Sequence, residues 1–393
     1  MNITETKTNY KVIYIGGALD HTVLPIILKL HAKYDDDFLF VATKSLPQSR
    51  QELGYGTFNN SYNFVFEAYG SKENIKHARN LIYNATIVLC GSITNRYLIR
   101  KRLFSAKITF LITERFYKEK TTILRFFRRL FGTVIHYHFF CKKNKYALCI
   151  GGYAPNDLDK AHLFKGKRLK WGYFTEYSSL SFEDLEKNKQ NNFTNISWVG
   201  RFVDVKQPFM MISLAHFLKL QGKRFKINMV GYGPLLDDFK RCVNENNLEN
   251  EIIVHGALPL DKKEKVLNET NVFVFSSTQE EGWGAVVNES LGSGCLVVAS
   301  KQSGAGSALI KHGVNGFLFD CFSQEELNNL MLDIVTNYHQ LSYIRKNGYD
   351  LIHSLWNQGV AANRLCEIIQ SLIDSSHLCF YDDGPCSEAI AFK

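Results

Sequence analysis

The 393-residue sequence contains no Cys-x-x-Cys pair, and its nine cysteines, at positions 90, 141, 149, 242, 295, 321, 366, 379 and 386, are scattered and odd in number. That spacing argues against a disulfide framework or a zinc site, so the chain reads as reduced and intracellular. No stretch reaches the roughly 18 uninterrupted apolar residues of a membrane span. The first residues, MNITETKTNYKVIYIGG, lack the basic and apolar regions of a secretory signal. A cytoplasmic, non-spanning protein is expected. Low-complexity tracts and short-period repeats are also missing, which argues against disorder and against collagen-like or coiled-coil fibres.

What is present is an ordinary globular composition, 45% hydrophobic and 22% charged, at a length that calls for two domains. Apolar runs KVIYI (11–15), DFLFVAT (37–43), TIVLC (86–90), KITFLI (107–112) and YALCI (146–150) alternate with helical patterns. The polar stretch EDLEKNKQNNFTN (183–195) follows, and NISWVG, KINMVG, EIIVHG, NVFVFS and CLVVAS then resume the alternation. Continuous apolar strands separated by helices predict parallel sheets covered on both faces. The expected class is α/β, with two doubly wound Rossmann-like domains facing a central cleft at their strand ends. The predicted domains are 1–180 and 196–360, with a linker over 181–195 and a C-terminal helix and loosely held tail over 361–393.

Charge is unevenly placed. Residues 96–145 hold 14 Lys/Arg against 2 Glu, whereas the rest of the chain is close to neutral. Within that stretch, 122–141 places Arg125, Arg128, Arg129, Gly132 and His136 on one helical stripe and a Phe-rich surface on the remainder. Two readings stand: an interfacial element on an anionic membrane, or a core helix with one wet edge. The Phe-rich spacing and the lack of a nucleic-acid motif argue against a nucleic-acid partner.

The strongest chemical signal is SSTQEEGWGAVVNE (276–289), directly after the run NVFVFS. A strand, a small-residue loop and a helix beginning near Gly284 offer free amides and a positive dipole end to a phosphate. Glu281 falls in the loop and Glu289 in the helix. Their carboxylates suit sugar hydroxyls, unless they are simply solvated charges. After the first strand of the second set come Arg201 and Lys206, either a fork and a point charge for a diphosphate or plain surface cations. Gly231 opens a Gly-x-Gly turn, and Leu258 follows the run EIIVHG. In the N-terminal half, Gly16, Gly17 and His21 lie in the loop after the first strand. Glu114 and Arg115 follow KITFLI, as base, phosphate ligand or local ion pair.

The ordered set of GR with its lysine, GYGP, EGWGAVVNESLGSGCLVVAS and SGAGSALIKHGVNGFLFD resembles the C-terminal domain of glycosyltransferase family 4, over about residues 195–320. The resemblance implies a GT-B fold and a nucleotide-sugar donor, a UDP-sugar first among them, with retention of anomeric configuration. The family's Glu-x7-Glu motif falls on Glu281, which would contact the donor sugar, and on Glu289, which would contact the ribose. Arg201 and Lys206 would hold the diphosphate, the Gly284 and Ala285 amides a phosphate, and Gly256 to Leu258 the base. Two departures are visible: Ala308 stands where the family commonly has Glu, and no His follows KITFLI. No convincing Asp-x-Asp lies in a strand-end loop, so neither metal nor other cofactor is expected. The acceptor implied is a lipid-linked saccharide in surface-polysaccharide synthesis, with the protein expected to be peripheral on the inner membrane face. The competing readings are a GT-B-shaped sugar-nucleotide epimerase or hydrolase and a non-enzymatic membrane-bound sugar-nucleotide-binding protein.

Overall fold

Val-, Ile-, Leu- and Phe-rich runs with no polar alternation become strands only where both faces are covered, and the computed structural model places them so. It describes residues 7, 9–46, 58–91, 97–115 and 144–391. The chain divides into two units, Met1–Thr175 with Trp356–Lys393, and Glu176–Leu355.

The first unit runs β1 (Val12–Gly16), α1 (Leu24–Tyr34), β2 (Phe38–Ala42), β3 (Val65–Glu67), α2 (Lys72–Asn84), β4 (Ile87–Cys90), α3 (Tyr97–Leu103), β5 (Thr109–Thr113), β6 (Lys145–Ile150), α4 (Ala154–Lys160) and β7 (Arg168–Trp171). Its sheet is parallel in the order β3-β2-β1-β4-β5-β6-β7.

The second unit runs α5 (Phe182–Asn188), β8 (Thr194–Val199), α6 (Met210–Leu220), β9 (Phe225–Val230), α7 (Leu236–Glu245), β10 (Ile252–Gly256), α8 (Leu260–Asn268), β11 (Val272–Phe275), α9 (Val286–Gly292), β12 (Leu296–Ser300), α10 (Gly304–Leu309), β13 (Phe317–Phe319), α11 (Gln324–Asn337) and α12 (Ser342–Ser354). Its sheet, β10-β9-β8-β11-β12-β13, repeats the same order and is again parallel. Trp198, Phe202 and Phe239 stack edge to face in its core.

Three sequence expectations change. The polar stretch 183–195 lies inside the second unit and carries α5, which Ser181 caps by accepting from the Asp184 amide. Its low hydrophobicity reflects a short helix held by charge: buried Arg345 makes a two-pronged pair with Glu186, and Lys189 donates to the carbonyls of Asn268 at 2.8 Å and Ser293 at 2.9 Å. The C-terminal boundary also moves. From Trp356 the chain returns to the first unit, where α13 (Gln358–Asp374) packs on α1. The tail is not loose, because residues 386–389 pair antiparallel with β7, through bonds such as Lys170 N–H to Ser387 O at 2.8 Å and Ala389 N–H to Arg168 O at 3.0 Å. That pairing satisfies an edge that would otherwise be open.

Among the described residues, two cations of 96–145 are buried in the fold. Arg102 is fully buried at the end of α2, and Lys145 Nζ donates to Ser105 O at 2.9 Å and Lys107 O at 2.8 Å. Both meet carbonyls, the acceptors a cation satisfies best at helix and strand ends. Arg125, Arg128 and Arg129 lie outside the described residues. Among the described residues, no helix is long and apolar enough to cross a membrane.

Candidate functional site

In each sheet the strand order reverses at one point, between β1 and β4 and between β8 and β11. Chains leaving neighbouring strands there depart in opposite directions and leave a crevice at the carboxyl ends. In the second unit the two loops at this point are 200–206 and 276–285, the segments in which the sequence signals concentrate.

These loops are cross-tied. Ser276 Oγ donates to Lys206 O at 2.7 Å and accepts from Trp198 Nε1 at 3.0 Å, while the Thr278 amide donates to Val205 O at 2.8 Å. The ties aim two side chains at each other, and Lys206 Nζ forms an ion pair with the Glu281 carboxylate. The same ammonium lies 4.9 Å from the centroid of the Phe275 ring, a cation–π contact. Gly284 turns at φ +97°, and a Cβ there would come within 2.2 Å of the Phe275 ring. Only glycine therefore lets the loop close over that ring.

Ala285 is the N-cap of α9, which begins at Val286, close to the start expected from sequence. Trp283, buried, donates from Nε1 to Asn288 Oδ1 at 2.8 Å and accepts from the Ala305 amide at 2.9 Å, fixing the loop to the helices beside it. Glu289 is 7% exposed, and its carboxylate pairs with Lys263 of α8 at 2.6 Å. Lys263 was missed in the sequence because it sits in the run DKKEK, which looks like a solvated face; nothing local marks it as turned inward. Arg201 is exposed and forms no ion pair among the described residues, whereas Lys206 is paired with Glu281.

The remaining residues singled out in the second unit's sequence share this end of the sheet. Gly231 has φ +142°, and a Cβ on it would lie 1.7 Å from Gly200 O. That close approach seats the loop after β9 against the one after β8, with Phe202 N–H donating to Tyr232 O at 2.8 Å. Gly231 N–H donates to Gly256 O at 2.8 Å, and half-buried Leu258 follows just before α8.

In the first unit, Gly16 and Gly17 carbonyls accept from the Thr43 amide at 3.0 Å each, and a Cβ on Gly17 would crowd Lys44. Asp20 caps the turn into α1, accepting from the Thr22 amide at 3.0 Å, and His21 beside it is half-buried. Glu114, at the end of β5, accepts from the Tyr173 hydroxyl at 2.8 Å. Burial, then the Glu114 charge, pushes the Tyr173 phenol well above its ordinary range, so it serves as a donor. Arg115 lies over the Tyr153 ring at 4.9 Å.

A family model described as Glycosyl transferases group 1 matches residues 181–351. The match runs over nearly the whole of the second unit, which resembles the group 1 glycosyl transferases. Among curated proteins, the amylovoran biosynthesis glycosyltransferase AmsK of Erwinia amylovora is 26% identical over 179 residues, 44% of each chain. The poly(ribitol-phosphate) alpha-N-acetylglucosaminyltransferase of Staphylococcus aureus is 24% identical over 142 residues, 36% of this chain and 28% of that protein. The chain thus spans about half, or less, of the length of the curated relatives it matches. The structure of Anabaena HepE in complex with UDP superposes with TM-score 0.69 at 16% identity, over 92% of this chain and all of that one. A sucrose-phosphate synthase of Thermosynechococcus elongatus gives TM-score 0.65 at 13% identity, over 93% of this chain and 99% of that one. At such identities the likeness speaks for the fold, and the fold is GT-B with two Rossmann-like units. The expected glycosyltransferase resemblance is supported at the level of group 1, and the expected α/β GT-B fold class is borne out.

Proposed function

We propose that the protein is a retaining glycosyltransferase of family 4 that binds a UDP-sugar in the group 1 domain and transfers the sugar to a saccharide acceptor carried on a lipid. The observation that carries this reading is the pair of carboxylates, Glu281 and Glu289, each matched to a lysine at the switch point of the second sheet. Carboxylates fixed in this way accept hydrogen bonds from hydroxyls, and the neighbouring cations and amides balance a diphosphate. In this reading Glu281 takes the donor sugar and Glu289 the ribose. Arg201, Lys206 and the Gly284 and Ala285 amides stabilise the charge on the departing nucleoside diphosphate. Gly231 lets backbone approach the ligand, and Leu258 borders the base. The first unit presents the acceptor beside Gly16, Gly17, His21 and Glu114.

The choice of UDP is supported by the UDP held by the Anabaena relative, and the polysaccharide setting by the printed name of the Erwinia one. A thermal-shift screen of UDP-, GDP- and ADP-sugars in excess EDTA tests the donor reading, since a ligand bound only by the folded state raises the melting temperature. The expected result is a rise with a UDP-sugar that EDTA leaves intact. A response that appears only on adding manganese overturns metal independence, and no response to any nucleotide sugar overturns the donor site.

Membrane attachment rests on the basic surplus of 96–145 and on the stripe Arg125, Arg128 and Arg129. Each cation near an anionic leaflet contributes roughly 1 kcal/mol. Sedimentation with anionic vesicles should therefore fall as salt rises and be lost when the three arginines are replaced by glutamate. Equal pelleting of both proteins returns the stripe to the interior.

A further inference from the structure

Lys263 is not part of the sequence motif, yet it is the side chain against which Glu289 rests. Its Nζ lies 2.6 Å from Glu289 Oε2, and the two side chains are only 11% and 9% exposed. A carboxylate removed from water needs a countercharge, and one with a fixed partner has a fixed direction. The partner here is itself held. Lys189 Nζ donates to Asn268 O at the end of α8 and to Ser293 O just past α9, so one buried ammonium ties the far ends of both helices. Lys263 and Glu289 link the same two helices again, farther from those ends. Two ties at separate points set the relative rotation of α8 and α9, and with it the aim of the carboxylate.

We propose that Lys263 is a positioning and specificity residue: it orients Glu289 so that the carboxylate recognises a ribose hydroxyl of the donor nucleotide. This rests on the donor reading given above. A carboxylate has about four lone-pair positions, and one ammonium at Oε2 leaves acceptor capacity for a ligand hydroxyl. Without the ammonium the carboxylate is free to rotate toward water, and the hydroxyl meets an acceptor that must first be ordered. The consequence is a loss of hydroxyl discrimination, beyond any loss of stability.

Calorimetric titration of the full chain with UDP, 2′-deoxy-UDP and 3′-deoxy-UDP separates these effects. In the wild type, removing the recognised hydroxyl should weaken binding by roughly tenfold or more, the range for a hydrogen bond to a charged group. In Lys263→Met that penalty should shrink to less than about threefold while UDP itself binds more weakly. Lys263→Arg, which keeps the charge, should restore most of the discrimination, a recovery that a purely structural tie does not require. Lys263→Gln, nearly the same length, carries the test if the methionine variant does not fold. If the neutral variants discriminate between UDP and its deoxy forms as strongly as the wild type, the proposal is overturned. If the wild type binds UDP but shows no deoxy penalty, the ribose role of Glu289 fails. If it does not bind UDP, the donor reading fails.

Discussion

Replacing Lys206 by methionine should lower kcat by about 10²–10³-fold, the loss typical of removing one preorganised group that faces charge developing in the transition state. The ammonium is held on three sides: by the Glu281 carboxylate, by the Phe275 ring face and by the cross-ties of its own loop to Ser276 and Thr278. A cation so placed undergoes little reorganisation as the nucleoside diphosphate leaves, which is why the loss should appear in kcat. A structural alternative is that Lys206 serves only to neutralise Glu281. That alternative predicts recovery in the double variant Lys206→Met/Glu281→Gln, which removes both charges together. The catalytic account predicts no recovery of kcat, so a double variant restored to near wild-type turnover contradicts it.

The largest effect on stability should come from Arg102, which lies outside the proposed donor and acceptor sites. Its guanidinium is fully buried and donates to Thr86 O at 2.8 Å, Ile108 O at 2.6 Å, Tyr83 O at 3.2 Å and the Thr109 hydroxyl at 3.2 Å, with Ala85 O as a further close acceptor. Burial pushes its pKa down to about 10, so the charge is retained at neutral pH. Several of these carbonyls close the C-terminal end of α2, where a cation also meets the negative end of the helix dipole. Arg102→Met leaves them buried without donors. The expected cost is on the order of 3–5 kcal/mol, with a fall of roughly 10 °C in the melting temperature of the first unit. Arg102→Lys should recover only part of it, because one ammonium cannot reach acceptors arranged around a planar fork. A melting temperature within about 2 °C of wild type for the methionine variant would refute this role.

Much of the framework was legible because buried parallel strands leave an unmistakable mark. NVFVFS became β11 and CLVVAS became β12, in register with each other. The spacing of Glu281 and Glu289 was likewise readable, since a loop and the helix after it are local in sequence. Other features were not. β3 and β13 are three residues long, too short for a periodic signal, and β7 carries Arg168 and Lys170 among its apolar residues. The stretch 183–195 looked like a linker because the groups that fix it, Arg345, Asn268 and Ser293, come from distant positions. The same holds for Lys263. A lysine in a polar run has the same local signature whether it faces water or a buried carboxylate, and only the packing of α8 on α9 distinguishes the two. The tail was misjudged for a related reason: residues 386–389 have no apolar run of their own and are ordered by β7's open edge.

The central claim is that the switch point of the second sheet is the donor site, and hydrogen exchange of the full chain with and without UDP tests it most directly. Amides in the loops 200–206 and 276–289 should exchange more slowly with ligand present, because cation, carboxylate and backbone contacts to a bound nucleotide order the segments that carry them. Binding of UDP with protection confined to other segments, or with none in these two loops, would contradict the account.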